Sequence, residues 1–187
     1  MRRQSSGVPT IFLDRDGVLN EDKGYVVKPE DLRLLPGVVE GLKTLKNLGY
    51  RLVVITNQSG IARGYFSERE VEEFHEHMNR HLQQAGSVPI DAFYICPHHP
   101  KGTIPQYSSI CECRKPGTGL VELALDEYAI DTSKSFFIGD KESDILCGKQ
   151  MGLRTIHVVG RYEQNAQADY TVANFAEAVR MIISCSP

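Results

Sequence analysis

Thr10-Ile11-Phe12-Leu13-Asp14-Arg15-Asp16-Gly17-Val18-Leu19-Asn20 decides how the rest of the chain is read. It opens as an apolar, β-branched run, the signature of a strand buried on both faces of a parallel sheet. It then breaks into two carboxylates one residue apart, followed by a glycine. Side chains alternate along a strand, so Asp14 and Asp16 point the same way where the strand frays into a loop. Two acids side by side repel unless a cation sits between them. In open α/β sheets the C-terminal strand ends are where ligands bind. The stretch therefore reads as a Mg²⁺ site with a carboxylate nucleophile, or as a solvated Asp-rich turn bent at Gly17.

The chain on either side favours the first reading. Residues 1 to 8 read as a loose tail and 9 to 187 as a single domain. Residues 15 to 35 are mixed and polar, a flap able to lie over the strand end. A helix is expected from Pro36-Gly37 to Leu48, with Val38, Leu42, Leu45 and Leu48 at helical spacing and Gly49 as its stop. Arg51-Leu52-Val53-Val54-Ile55-Thr56-Asn57 is a second buried strand ending in polar residues. Strand, helix, strand is a βαβ unit. Ser67 and Glu70 form a capping box opening a helix to about Ala85. Short strands follow at Ala92 to Ile95, Ser135 to Asp140 and Thr155 to Val159. Helices are expected over Thr118 to Tyr128, with Leu120, Leu123, Ala124 and Glu127 alternating in and out, over Ser143 to Met151, and over Asn174 to Ile183. An edge strand fits Tyr170 to Val172. The fold class is α/β: a Rossmann-like three-layer sandwich around a mostly parallel sheet, without a cap domain.

Composition bounds the function. The 187 residues carry a net charge of −3 and 41% hydrophobic residues, ordinary for a globular domain and unlike a nucleic-acid or anionic-membrane binder. The N-terminus lacks the apolar stretch of a signal peptide, and no run approaches membrane-spanning length. A cytoplasmic monomer is expected. Five cysteines, an odd number, fit a reducing compartment and a metal site better than a disulfide framework.

Three strands end in chemistry: Asp14 and Asp16, then Thr56 and Asn57, then Gly139-Asp140 with Lys141 and Asp144. Parallel strands deliver these to one edge of the sheet. Between them lies a long aperiodic loop, about residues 96 to 115, with little apolar content to order it. Cys96-x-His98 and Cys111-x-Cys113 offer four ligands of tetrahedral Zn²⁺ type, with His99 as an alternative. A closed Cys₃His set would make the ion structural. Cys147 and Cys185 fall on expected helices and read as small apolar residues.

In order, Asp-x-Asp-Gly, a strand ending in Thr-Asn, Arg114-Lys115-Pro116 and Gly139-Asp140-x-x-x-Asp144 resemble the haloacid dehalogenase superfamily of phosphatases. Thr56-Asn57-Gln58-Ser59-Gly60-Ile61-Ala62-Arg63-Gly64, Cys96-Pro97-His98-His99-Pro100 and Cys111-Glu112-Cys113-Arg114-Lys115-Pro116 narrow the likeness to its heptose bisphosphate and histidinol-phosphate branch. The resemblance implies a phosphoric monoester hydrolase that takes the 7-phosphate from a heptose 1,7-bisphosphate, a step toward nucleotide-activated heptose for lipopolysaccharide. It implies Asp14 as nucleophile, forming an aspartyl-phosphate, and Asp16 as acid and base. Mg²⁺ would be held by Asp14, Asp140 and the backbone carbonyl of Asp16. Thr56 would donate to the phosphoryl group and Lys115 neutralise it, with Arg114 serving a second phosphate or a sugar hydroxyl. Lys141 and Asp144 would orient neighbours. Asp22, Tyr25, Asn57, Gln58 and Ser59 are the implied sugar and phosphate contacts, and His98 is favoured over His99 for zinc. Histidinol-phosphate phosphatase is the alternative enzyme; a non-catalytic zinc-loop interaction module is the alternative of another class.

Overall fold

The computed structural model describes residues 7 to 160 and 167 to 185. Six strands form one sheet: β1 (Thr10–Leu13), β2 (Arg51–Asn57), β3 (Ala92–Cys96), β4 (Phe136–Gly139), β5 (Arg154–Val158) and β6 (Tyr170–Val172). Every pairing is parallel, in the order β3-β2-β1-β4-β5-β6. The helices are α1 (Val38–Asn47), α2 (Glu68–Gln84), α3 (Gly119–Glu127), α4 (Glu142–Gln150) and α5 (Phe175–Cys185). Each boundary lies close to its expected place.

Alternation along β1 makes the three layers. Ile11 and Leu13 pack with Leu42 and Leu45 of α1, Phe74 and Met78 of α2, and Val179 and Ile182 of α5. Phe12 faces the other way, onto Val121 and Ala124 of α3 and Cys147 of α4. Burial of a large apolar side chain contributes roughly 1.5–3 kcal/mol, so a one-residue slip of β1 would exchange both faces and forfeit this packing.

The chain winds outward from β1 to β3, then returns to β4 on the other side of β1. The C-terminal ends of β1 and β4 therefore flank the switch point, where the diverging connections leave a crevice. Asp14 and Asp140 follow directly after these two strands.

Two local readings need correction. Val8 is not part of a loose tail: its N–H donates to Ala129 O at 2.9 Å and its carbonyl accepts from Asp131 N at 3.2 Å. Residues 1 to 6 lie outside the described residues. On α3 the expected alternation holds, with Leu120 and Ala124 buried and Leu123 and Glu127 exposed, and Val121 is buried beside them. Leu48 lies just past α1 as its C-cap and is exposed, and Gly49, at φ +87°, turns the chain toward β2 directly after it. The capping box is present, with Glu70 N donating to Ser67 Oγ and Ser67 N to Glu70 Oε2.

Candidate active site

The sheet edge at the switch point holds a pocket of about 40 Å³. Asp14, Asp16, Thr56, Asn57, Lys115, Lys141, Ser143 and Asp144 line it. It unites residues from the ends of β1 and β2, the start of α4 and the end of the cysteine loop.

Lys115 lies at its centre. Its Nζ stands 2.8 Å from Asp14 Oδ1, 2.7 Å from Asp144 Oδ1 and 2.6 Å from the Ile55 carbonyl. Both carboxylates and the ammonium are almost wholly buried. A buried ion pair is tolerated only when its desolvation is offset by good geometry and further hydrogen bonds, and here three oxygens surround one ammonium. Burial alone would raise the Asp14 carboxyl; Lys115, then Lys141, outweigh it and hold it below its ordinary value. Asp14 is thus an anion at the tip of β1, the state a nucleophilic carboxylate needs. Burial pulls Lys115 down, but Asp14 and Asp144 more than reverse this, so it stays charged.

Asp14, Asp140 and Asp144 each bring one oxygen within 4.8 Å of the others. Asp140 Oδ1 is buried and accepts no hydrogen bond among the described residues; Lys141 Nζ lies 3.8 Å away. Burial, then the charge of Asp14, pushes the Asp140 carboxyl up to about 8. Burial also raises Asp144, partly countered by Lys115. A buried oxygen without a donor, in a crowd of like charges, fits a hard cation, which prefers oxygen ligands. Gly17 permits the crowding. Its φ is +87°, and a Cβ there would lie 2.3 Å from Asp140 Oδ2.

Asp16 lines the same pocket but stands outside the Asp14, Asp140 and Asp144 group. It accepts from Arg15, from Asn20 Nδ2 at 2.9 Å and from Gln58 Nε2 at 3.0 Å. Gln58 Nε2 also donates to Thr56 Oγ1 at 2.9 Å, which leaves the Thr56 proton to donate. Asn57 clamps the Lys115 backbone, accepting from its N–H at 3.0 Å and donating to its carbonyl at 3.2 Å.

The other expected contacts are more scattered. Asp22 reaches the pocket's rim through an ion pair with Lys141 at 3.4 Å. It also borders a second cavity of about 710 Å³, lined by Asp140, Val158, Phe175 and their neighbours. Tyr25 is half exposed, at φ 56°, with its ring edge-on to Tyr65 at 4.8 Å. Neither Tyr25 nor Ser59 lines the small pocket. Arg114 donates to the His98 carbonyl at 3.2 Å.

The cysteine loop closes on itself next to the pocket. Cys113 Sγ lies 3.1 Å from Cys96 Sγ, 3.2 Å from Cys111 Sγ and 3.4 Å from His98 Nδ1. Four soft ligands converge, and this cluster can hold a metal ion. His99 is turned elsewhere, its Nδ1 accepting from Lys101 N at 3.0 Å. Cys147 is buried and Cys185 packs against the core, both outside the cluster.

Two partners were not legible in the sequence. Arg15 sits between the aspartates yet is fully buried, and His75 of α2 reaches it. The one available signal was strand alternation, which sends Arg15 to the face opposite Asp14, toward α2.

A parallel sheet with paired acids after its central strand, a buried lysine across from them and acids after the next strand over defines a haloacid dehalogenase-type phosphatase. The family model described as polynucleotide kinase 3 phosphatase matches residues 11–183. A D-glycero-beta-D-manno-heptose-1,7-bisphosphate 7-phosphatase of Photorhabdus laumondii subsp. laumondii is 47% identical over 141 residues, 75% of this chain and 74% of that protein. An alpha-named counterpart in the same organism is 41% identical over 150 residues, 80% of this chain and 81% of that one. The crystal structure of D,D-heptose 1.7-bisphosphate phosphatase from B. bronchiseptica, complexed with magnesium and phosphate, superposes with a TM-score of 0.82 at 29% identity, covering 95% of this chain and 99% of the other. The chain belongs to the heptose bisphosphate phosphatase family of the haloacid dehalogenase superfamily.

Proposed function

We propose that the protein is a Mg²⁺-dependent phosphatase that removes the 7-phosphate of D-glycero-D-manno-heptose 1,7-bisphosphate. The observation that carries this is the ionised Asp14 facing Lys115 beside the donorless oxygen of Asp140. The family membership supplies the substrate class.

Asp14 attacks phosphorus in line and the bond to the sugar oxygen breaks, leaving a phosphoryl group on the carboxylate. Asp16 gives its proton to the departing oxygen. It then takes one from the water that cleaves the acyl phosphate, releasing phosphate and restoring Asp14. Thr56 donates to the phosphoryl oxygens and Lys115 neutralises their growing charge. Asp14, Asp140 and the Asp16 carbonyl would hold Mg²⁺, which when bound offsets phosphoryl charge. Lys141 and Asp144 keep the acids in register, and Asn57 and Gln58 fix Lys115, Thr56 and Asp16. Asp22, Tyr25, Ser59 and Arg114 serve the sugar and its second phosphate. Cys96, His98, Cys111 and Cys113 would hold a structural Zn²⁺ that orders the loop carrying Arg114 and Lys115.

The partner is a small sugar phosphate, not nucleic acid. No helix among the described residues is long and apolar enough to cross a membrane. We place the enzyme in the cytoplasm as a monomer.

Phosphate release with Mg²⁺, comparing the α- and β-heptose 1,7-bisphosphates with histidinol phosphate, tests the reading. A large kcat/KM on one heptose anomer is expected, and preference for histidinol phosphate overturns the substrate. Asp14→Asn should abolish turnover; full activity in that variant removes the nucleophile.

A further inference from the structure

Arg15 is fully buried, a costly place for a guanidinium unless every donor finds a partner. Its Nε donates to Asp16 Oδ1 at 3.1 Å. One terminal nitrogen donates to both Asp16 oxygens, at 3.0 and 2.8 Å, and to the Val26 carbonyl at 2.7 Å. The other terminal nitrogen lies 3.2 Å from His75 Nε2. An arginine only donates, so Nε2 accepts and the imidazole is neutral with its proton on Nδ1. Burial, then Arg15, hold His75 down to about 2, in agreement.

Helix α2 grips this guanidinium with two consecutive residues. Phe74 lies under it, with Cζ 4.8 Å from the ring centroid. The His75 ring is in turn stacked on Phe93 of β3, with centroids 4.2 Å apart and planes at 13°. Arg15 thus has its approach, its plane and its outer nitrogen fixed, while its inner edge meets Asp16 at both oxygens. That carboxylate reaches the small pocket beside Asp14 and Thr56. A bidentate fork sets a carboxylate's orientation in a way a point charge does not.

We propose that Arg15, locked by His75, is a positioning residue that holds the Asp16 carboxylate in the orientation proton transfer to the leaving oxygen requires. This rests on the reading of Asp16 as the acid and base of the reaction. A role confined to core stability would lower activity on every substrate alike. A positioning role, read in kcat/KM, which reports only the steps up to departure of the leaving group, hurts only the substrate whose leaving oxygen needs the proton; the later cleavage of the acyl phosphate is common to both.

The test compares the heptose bisphosphate, a poor leaving group, with p-nitrophenyl phosphate, whose phenolate departs without a proton. Arg15→Lys keeps the charge and loses the fork. Its kcat/KM on the sugar phosphate should fall on the order of 10²-fold, within the span of general acid catalysis, with kcat/KM on p-nitrophenyl phosphate changed by less than about threefold. His75→Phe keeps the stack on Phe93 and loses the acceptor; it should show the same selective loss, about tenfold. His75→Gln, whose amide oxygen accepts, should restore the wild-type ratio between the two substrates. Equal losses on both substrates, or a Gln variant no better than Phe, overturn the proposal. Should the lysine variant fail to fold, the two His75 variants decide. Asp16→Asn separates the layers: without selective loss there, the acid assignment itself fails; with it there but not in the Arg15 and His75 variants, only the positioning role fails.

Discussion

Asp140→Asn removes a buried carboxyl whose charge this fold resists. Burial and the Asp14 charge push the Asp140 carboxyl from 3.8 up to about 8, whereas the unfolded chain ionises it near 3.8. In Mg²⁺-free solution the folded protein therefore keeps a proton that the unfolded chain has lost. The stability this provides is complete below the unfolded value and lost as pH rises through about 8. His75 acts in the opposite sense. It falls from 6.5 to about 2 on folding, so its contribution is present above 6.5 and lost as pH falls below that. Between about pH 4 and 6.5 the two slopes oppose one another; from 6.5 to about 8 the Asp140 effect stands without that opposition. Across that upper window the loss is about 1.5–2 kcal/mol, at roughly 1.4 kcal/mol per pH unit for one proton. For a chain of this size that is roughly a 5 °C fall in Tm. Asp144, also raised, adds in the same direction. The assay is urea unfolding followed by circular dichroism, between about pH 5 and pH 9, after dialysis to remove Mg²⁺. The Asn variant should lose half or more of the upper-window slope, and saturating Mg²⁺ should flatten the wild-type curve by favouring the ionised acid. An unchanged slope in the variant, or wild-type stability that rises between 6.5 and 8, refutes the reasoning.

Gly17→Ala should cost about 1–3 kcal/mol, because the residue sits at φ +87° and the new Cβ would collide with Asp140 Oδ2. Activity should fall with it, and an active variant with a wild-type denaturation midpoint would contradict the close approach. Metal analysis should find zinc on the cysteine loop; once it is stripped by a strong chelator, Cys96, Cys111 and Cys113 should react with a thiol reagent and the KM for the bisphosphate should rise. Thiols that react equally before and after stripping would show that the cluster holds no ion.

The sequence by itself determined the strands, their common parallel sense and the acids that follow them. Those signals are local: an apolar run, a glycine stop, a capping box, each readable within a few residues. Alternation along β1 even carried the layer assignment of Ile11, Phe12 and Leu13. Only the tertiary structure decided which polar groups face each other. The reversal of winding after β3 lays β4 against β1, and the loop after β3 returns Lys115 to Asp14 from 101 residues along the chain. It makes Asp144 a partner of Lys115 and drives Arg15 inward onto His75. Periodicity records which side of a strand or helix a residue takes. It holds no record of what waits on that side, because burial, pairing and charge depend on the distances that folding creates.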